Sequence, residues 1–292
     1  MPDGSARPIL IVLSDTDVVA RALGARWGSL PDTGETVDET PVRALPSGQR
    51  VVRRPGPHVH DEHVDRRLSP RLREARPTVI FPSIHRSESG QRCLTVHPLG
   101  NPTSAARLGG RPHAFTPADA RLMTALLRRL DEEGRAAGVP ATFEATHHGP
   151  ELEVPALFAE IAVEGDGEPA PEEVTALARA LETAAPDPRD RIALAAGGGH
   201  YAPHFTDLAR SRRWAFGHIL SRHALNDLPR AAAEAALAAT LGVEGVLYAR
   251  AQDREHPGLK GLAPALRDLE APLREGGPRG SLSGTTLPTS GT

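Results

Sequence analysis

With 292 residues the chain is long enough to bury a sizeable core without covalent staples. Its one cysteine, Cys93, excludes an internal disulfide framework and a multi-cysteine zinc knuckle. The formal net charge of −3 gives no global attraction for a polyanion, so contact with nucleic acid needs a local basic surface.

The apolar stretch Ile9 to Leu13 is too short for a signal-peptide core or a membrane span, and the expectation is a soluble, cytoplasmic protein that engages no membrane. Pro8 to Leu13 reads as a strand buried on both faces, and the helical spacing of apolar residues from Val18 to Trp27 completes a strand, loop and helix. Residues 31–76, rich in Pro, Gly, Arg and acidic side chains, read as an irregular insertion or a weak sheet edge. Inside it, His58, His60 and His63 approach the H-x-H-x-D-H pattern of metallo-β-lactamases, but Glu62 replaces the Asp and no buried strand leads in, which favours a solvated loop.

Thr78 to Ser83 and Leu94 to His97 are short apolar runs, each ending in a polar cluster of the kind that binds ligands at strand carboxyl ends. Thr116 reads as an N-cap, Pro117 as a first-turn proline and Asp119 as an early carboxylate. Leu122, Leu126, Leu127 and Leu130 follow at helical spacing, and the helix closes near Gly134 to Gly138. Ala141 to Thr146, Leu157 to Val163, Ile192 to Ala196, Trp214 to His218 and Gly245 to Tyr248 then alternate with a helix from Pro171. The fold class is therefore α/β, with a mixed or mainly parallel central sheet flanked by helices, in a single domain over residues 1–275. Residues 276–292, Gly, Ser, Thr and Pro with almost no apolar content, are expected to form a disordered tail.

Thirteen histidines are many for this length, and His85, His97, His147, His148, His200, His204 and His218 fall where apolar strands end. Imidazole is the commonest transition-metal ligand, and histidines with a carboxylate can hold a zinc that activates water. The carboxylates near predicted strand ends are Asp15, Glu144, Glu160 and Asp207. A single histidine of this kind is more often a hydrogen-bonded structural residue; it is the grouping that points to function. In extended backbone, His147 and His148 point to opposite faces, which predicts different roles. The Gly197 to Gly199 run permits a sharp turn before His200 but lacks the G-x-G-x-x-G spacing of a dinucleotide site. Cys93 reads as a small core residue, since no strand geometry brings it to His97.

Taken together, SIHRSESG from Ser83, LTVHPLGN from Leu94, EATHHGP from Glu144, LFAEI from Leu157, GGGHYAPHF from Gly197 and FGHI from Phe216 resemble the D-aminoacyl-tRNA deacylase family of archaea and plants. The resemblance extends roughly from Pro8 to Leu269. It implies a fold related to peptidyl-tRNA hydrolase and nucleoside phosphorylases, zinc dependence, and hydrolysis of the ester between a D-amino acid and the terminal ribose of tRNA. From it we expect His85, His147 and Tyr201 as catalytic residues and His97, His148, Glu160 and His200 as zinc ligands. Substrate binding is expected from Ser83, Ser87, Asn101, Gly198, Gly199, His204, His218 and Lys260, the only lysine in the chain. His204 and Ile84 depart from the family's pattern, His204 standing where an arginine is expected. The partner implied is D-aminoacyl-tRNA and not DNA, with a monomer favoured. The competing readings are a nucleoside phosphorylase-like enzyme or a small-molecule metallo-amidohydrolase, and third a module that binds RNA or metal without turnover, since fold alone does not fix function.

Overall fold

The computed structural model describes residues 7–87 (Ser87 through its backbone), 90–211 and 213–266. The tail expected over 276–292 lies outside them. Strand β1 (Ile9–Ser14) is buried along nearly its whole length, as its unbroken apolar run requires for an inner strand. Helix α1 (Val18–Trp27) follows, capped by Asp17, whose carboxylate accepts from the Ala20 N–H at 2.9 Å.

Residues 31–76, expected to be irregular or a weak edge, instead build three strands: β2 (Asp32–Val37), β3 (Thr40–Ala44) and β4 (Arg50–Arg54). β2 and β3 run antiparallel, and β4 then lies parallel to β1. Strands of five or six residues interrupted by turns offer too few positions for a period-two pattern to stand out. Two 3₁₀ turns and helix α2 (Pro70–Glu74) complete the segment and place Val64, Leu68 and Leu72 against Val12, Phe81 and Phe158.

β5 (Thr78–Ser87) continues past the expected end at Ser83 and carries His85 within the strand. β6 (Cys93–Pro98), helix α3 (Ala120–Ala137), β7 (Ala141–Phe143), β8 (Ala156–Glu164) and helix α4 (Pro171–Thr183) follow. The cap of α3 is Asp119, which accepts from the Leu122 N–H at 3.1 Å; Thr116, expected in that role, instead donates to Pro150 O. The first sheet has the order β2-β3-β4-β1-β5-β8-β6-β7. β8 inserts between β5, its parallel neighbour, and β6, its antiparallel neighbour.

The later strands, β9 (Arg191–Ala196), β10 (Trp214–Leu220) and β11 (Gly245–Tyr248), form a separate parallel sheet in the order β10-β9-β11. Helices α5 (Pro203–Arg210), α6 (Arg222–Leu225) and α7 (Arg230–Ala239) connect them. Helix α3 joins the two sheets: Leu122, Leu126, Leu127 and Leu130 share one apolar cluster with Leu94, Val96 and Ile161 of the first and Phe216 and Ile219 of the second. A buried Arg128–Asp190 ion pair at 2.5 Å ties α3 to the residue preceding β9. The mixed, largely parallel sheet flanked by helices is the α/β class expected. Among the described residues no helix is long and apolar enough to cross a membrane.

Candidate functional site

Strand alternation divides β8 between two environments. Leu157, Ala159, Ile161 and Val163 face the helices, whereas Phe158 and Glu160 face the other side. In-register neighbours share that face: Ser83 of β5 and Thr95 of β6 flank Glu160, and His97 lies opposite Phe158, its ring stacked at 5.1 Å. Two residues beyond Ser83, on the same face, His85 stands with Nδ1 3.4 Å from Glu160 Oε2 and 3.7 Å from Glu144 Oε2. The first distance is longer than a hydrogen bond, so the attraction is mainly electrostatic.

Glu144, His147 and His148 come from the segment after β7, which leaves the strand at Phe143. The expectation that the adjacent histidines diverge assumed extended backbone. Instead His148 is left-handed, with φ 43°, and both rings turn onto His97, centroids 4.1 and 4.9 Å away. A non-glycine residue held in that conformation is the sort of local strain found at ligand sites. The main chain holds it there, the Gly100 N–H donating to His148 O at 2.7 Å. From the loop after β9, His200 brings Nε2 to 3.3 Å from Glu144 Oε2, with His147 Nε2 at 3.6 Å from the same oxygen.

Three imidazoles are pre-set as acceptors or ligands. Nδ1 of His97, His147 and His148 lies 3.2, 2.8 and 3.2 Å from the carbonyls of Pro98, Ala145 and Gly149. A carbonyl can only accept, so each ring carries its proton on Nδ1 and leaves Nε2 with a lone pair, the arrangement typical of metal-bound histidine. Burial, reinforced by the neighbouring imidazoles, holds His147 well below the ordinary histidine range, and burial with His97 beside it holds His148 at about 4. His85 behaves oppositely: burial works against its charged form, but Glu160 and Glu144 outweigh this and raise its pKa. Burial likewise disfavours the Glu160 carboxylate, yet His85 above all keeps its pKa well below the usual carboxylate value.

Both oxygens of Glu144, Oε2 of Glu160 and Nε2 of His97 are buried without a hydrogen-bond partner among the described residues. Such orphaned groups are costly and rare, and two carboxylates with inward-facing imidazoles form the donor set that a divalent transition metal satisfies. Ligand atoms lie within 4.8 Å of one another in three overlapping groups: His85, Glu144, His147 and His200; His97, His147 and His148; and His97, Glu144 and Glu160. The four expected zinc ligands therefore do not share one point. His200 belongs with His85 and Glu144, while His147, expected only as a proton carrier, joins the ligand groups. Glu144, in sequence a carboxylate near a strand end, is not among the expected site residues; its burial beside three histidines identifies it.

The remaining expected residues divide. Tyr201 lies beside the cluster, its ring 5.6 Å from that of His200 and 6.3 Å from that of His85. Gly198, Gly199 and His204 line a cavity of about 530 Å³ together with Arg222, Asn226 and Arg250, three residues that no motif had marked. His218, expected to touch substrate, is fully buried and structural, with Nδ1 3.1 Å from Thr146 Oγ1 and Nε2 3.0 Å from Thr116 O. Asn101 is buried too, and its amide donates to Gly109 O at 2.9 Å, securing a loop. Ser83 flanks Glu160 in register, but its Oγ donates to Asp17 at 3.3 Å; Lys260 pairs with Glu255 at 2.9 Å and does not line the cavity. The side chain of Ser87 lies outside the described residues.

The rival histidines also resolve. His58 is buried against Phe81 and Phe158 and accepts from the Ser14 N–H at 2.9 Å, while Glu62 accepts the N–H groups of Gly110 and Glu151. That run clamps loops together and is not among the metal-competent groups of the described residues. Cys93 is a buried thiol pushed up to about 12, chiefly by burial, which removes it as a nucleophile near neutral pH.

The model of the D-aminoacyl-tRNA deacylase family matches residues 73–258. A D-aminoacyl-tRNA deacylase of Thermoplasma acidophilum is 32% identical over 193 residues, 66% of this chain and 74% of that one. Relatives of the same name from Methanosphaerula palustris and Aeropyrum pernix are 36% and 40% identical over 74% and 51% of this chain, and the alignments take in 47% and 57% of those proteins. A crystal structure of a conserved protein of unknown function shares the fold, with a TM-score of 0.69 over 88% of this chain and 91% of that one at 22% identity. Because the matched segment contains every member of the histidine and carboxylate cluster, from His85 to His200, and the relatives are similar across it, the chain belongs to the D-aminoacyl-tRNA deacylase family.

Proposed function

We propose that the chain hydrolyses the ester between a D-amino acid and the terminal ribose of tRNA, and that its site holds zinc. The observation that carries this reading is the cluster of imidazoles around two buried carboxylates, three of whose oxygens lack a hydrogen-bond partner among the described residues, in a chain of this family. His97, His147 and His148 would hold the metal through Nε2, with Glu144 and Glu160 beside them. When bound, zinc supplies a Lewis acid that makes water nucleophilic near neutral pH.

The chain's own groups do the rest. An aminoacyl ester is already reactive, so positioning and proton transfer suffice, without a covalent intermediate. Glu144 Oε2, facing His85, His147 and His200, takes the proton of the attacking water. His85, held between two carboxylates with a raised pKa, carries a proton for the departing ribose oxygen. His147, part-buried and held well below its ordinary pKa, is better suited as a neutral ligand than as a proton carrier.

The test is release of amino acid from matched D- and L-tyrosyl-tRNA by purified protein, after chelation and after adding zinc back. D-selective release restored by zinc is the expected result. Release from neither enantiomer under any condition overturns the deacylase reading. Full activity with no metal detected by elemental analysis overturns the zinc part alone.

A further inference from the structure

The three parallel strands β9, β10 and β11 end side by side, and the loops leaving their carboxyl ends enclose the cavity lined by Gly198, Gly199, Arg222 and Arg250. Open α/β sheets bind ligands in such crevices. The loops are tied by main chain: the Arg222 N–H donates to Gly198 O at 2.9 Å, the Gly197 N–H to Leu220 O at 2.8 Å and the Arg250 N–H to Asp253 Oδ2 at 3.1 Å. Gly197 has φ 103°, and an added Cβ would overlap the Asp253 carboxylate, so only glycine permits this turn. The β9 loop also belongs to the catalytic cluster, because His200 directly follows the cavity-lining Gly199.

Two arginines therefore line one cavity wall, with Asn226 and His204 alongside, and Gly199 in that wall directly precedes His200 of the cluster. Elsewhere the arginines pair readily: Arg92 with Glu173, Arg111 with Glu151, Arg128 with Asp190. No carboxylate among the described residues forms an ion pair with Arg222 or Arg250, and Nη2 of Arg222 is buried without a hydrogen-bond partner. An arginine pair on a cavity wall with no such carboxylate to neutralise it carries net positive charge that an anionic ligand would balance. The planar fork of arginine matches the oxygens of a phosphate.

We propose that Arg222 and Arg250 bind the phosphodiester immediately 5′ to the terminal ribose of the acceptor end, acting as positioning residues that set the ester against His85, Glu144 and His200. The assignment rests on the deacylase reading. It extends that reading by locating substrate recognition in the second sheet while the reacting groups come mainly from the first.

The probe is a non-hydrolysable acceptor-end mimic, D-tyrosine amide-linked to 3′-amino-3′-deoxyadenosine, with or without a 5′-phosphate methyl ester. Each form is titrated calorimetrically into the full-length protein, Arg222→Met and Arg250→Met. The wild type is expected to bind the phosphorylated form at least about tenfold more tightly, since hydrogen bonds to charged groups are individually worth about that factor. Each variant should lose most of this preference while changing far less toward the unphosphorylated form. Should Arg222→Met fail to fold, Arg250→Met, whose side chain is exposed, carries the test.

Equal affinity of the wild type for both forms, or an undiminished preference in the variants, overturns the proposal. So does arginine-dependent binding of inorganic phosphate alone without preference for the phosphorylated mimic, which would mark a free-phosphate site. If the wild type hydrolyses D-tyrosyl-tRNA but shows no phosphate preference, only this proposal falls. If it neither hydrolyses that substrate nor binds either mimic, the deacylase reading falls with it.

Discussion

Glu144 shows how much a single side chain contributes to this site. It is wholly buried, has no hydrogen-bond donor for either oxygen, and faces His85, His147 and His200 at 3.3 to 3.7 Å. Replacement by glutamine keeps the shape and removes the charge. If Glu144 takes the proton from water, turnover should fall by at least about 100-fold. The thermal midpoint should hold or rise, because an incompletely compensated buried charge has been removed. Wild-type turnover in Glu144→Gln would remove it from the mechanism.

His218 makes a separate prediction about pH. Burial lowers its pKa from the ordinary 6.5 to about 4, so it is neutral in the folded protein. As pH falls below about 6.5 the unfolded chain takes up this proton first. The associated stability is therefore complete above that pH and is lost progressively down to about 4. The loss amounts to roughly 3 kcal/mol from this group. Urea unfolding of wild type and His218→Gln at intervals between pH 7 and 4 should show a shallower acid loss in the variant. Equal slopes would mean that His218 does not contribute this dependence.

At the scale of elements, the informative link is between helix α1 and strand β5. One oxygen of Asp17 caps α1 at the Ala20 N–H, and the other accepts the Ile84 N–H at 3.0 Å and Ser83 Oγ at 3.3 Å. The residue thus fixes the backbone immediately before His85. Asp17→Ala should cost about 1 kcal/mol for the cap and a further 1 to 3 kcal/mol, approximately, for the Ile84 N–H left unpaired. Catalytic rate should fall with stability, since the backbone that carries His85 loses its anchor. Asp17→Asn, whose single amide oxygen can accept at only one of the two sites, should recover only part of the loss. A rate unchanged in Asp17→Ala would show that β5 holds His85 without help from α1.

Across the whole molecule, the question is whether the two sheets fold as one. Apolar residues of α3 pack against both, and the Arg128–Asp190 pair reinforces the join. Removing the buried Leu126 side chain should cost roughly 2 to 5 kcal/mol and destabilise both sheets together. The two tryptophans are convenient reporters: Trp27 hydrogen-bonds to Glu182 of α4, whereas Trp214 is buried at the start of β10. Unfolding followed by fluorescence in Trp27→Phe and in Trp214→Phe, each compared with circular dichroism of the same variant, should give coincident transitions. Separate midpoints for the two reporters would show that the second sheet is an independent unit.

The sequence by itself determined the local elements and the chemistry available to the site. β1 was legible because a strand covered on both faces must be apolar throughout, and α3 because one face of a helix must be apolar to join a core. The histidines were legible because they sit at strand ends, where polar groups interrupt apolar runs. What periodicity cannot report is which strand lies beside which, because pairing depends on contacts distant in sequence. Only the tertiary structure inserted β8 between β5 and β6, which carries Glu160 between His85 and His97. The same long-range packing turned His148 onto the same ring as His147, buried Glu144 beneath three imidazoles and separated β9 to β11 into a second sheet. It also withdrew His218 and Asn101 into hydrogen-bonded structural positions and brought Arg222, at the start of α6, and Arg250, after β11, to one wall, since a side chain's partners, and not its type alone, decide whether it is free to bind.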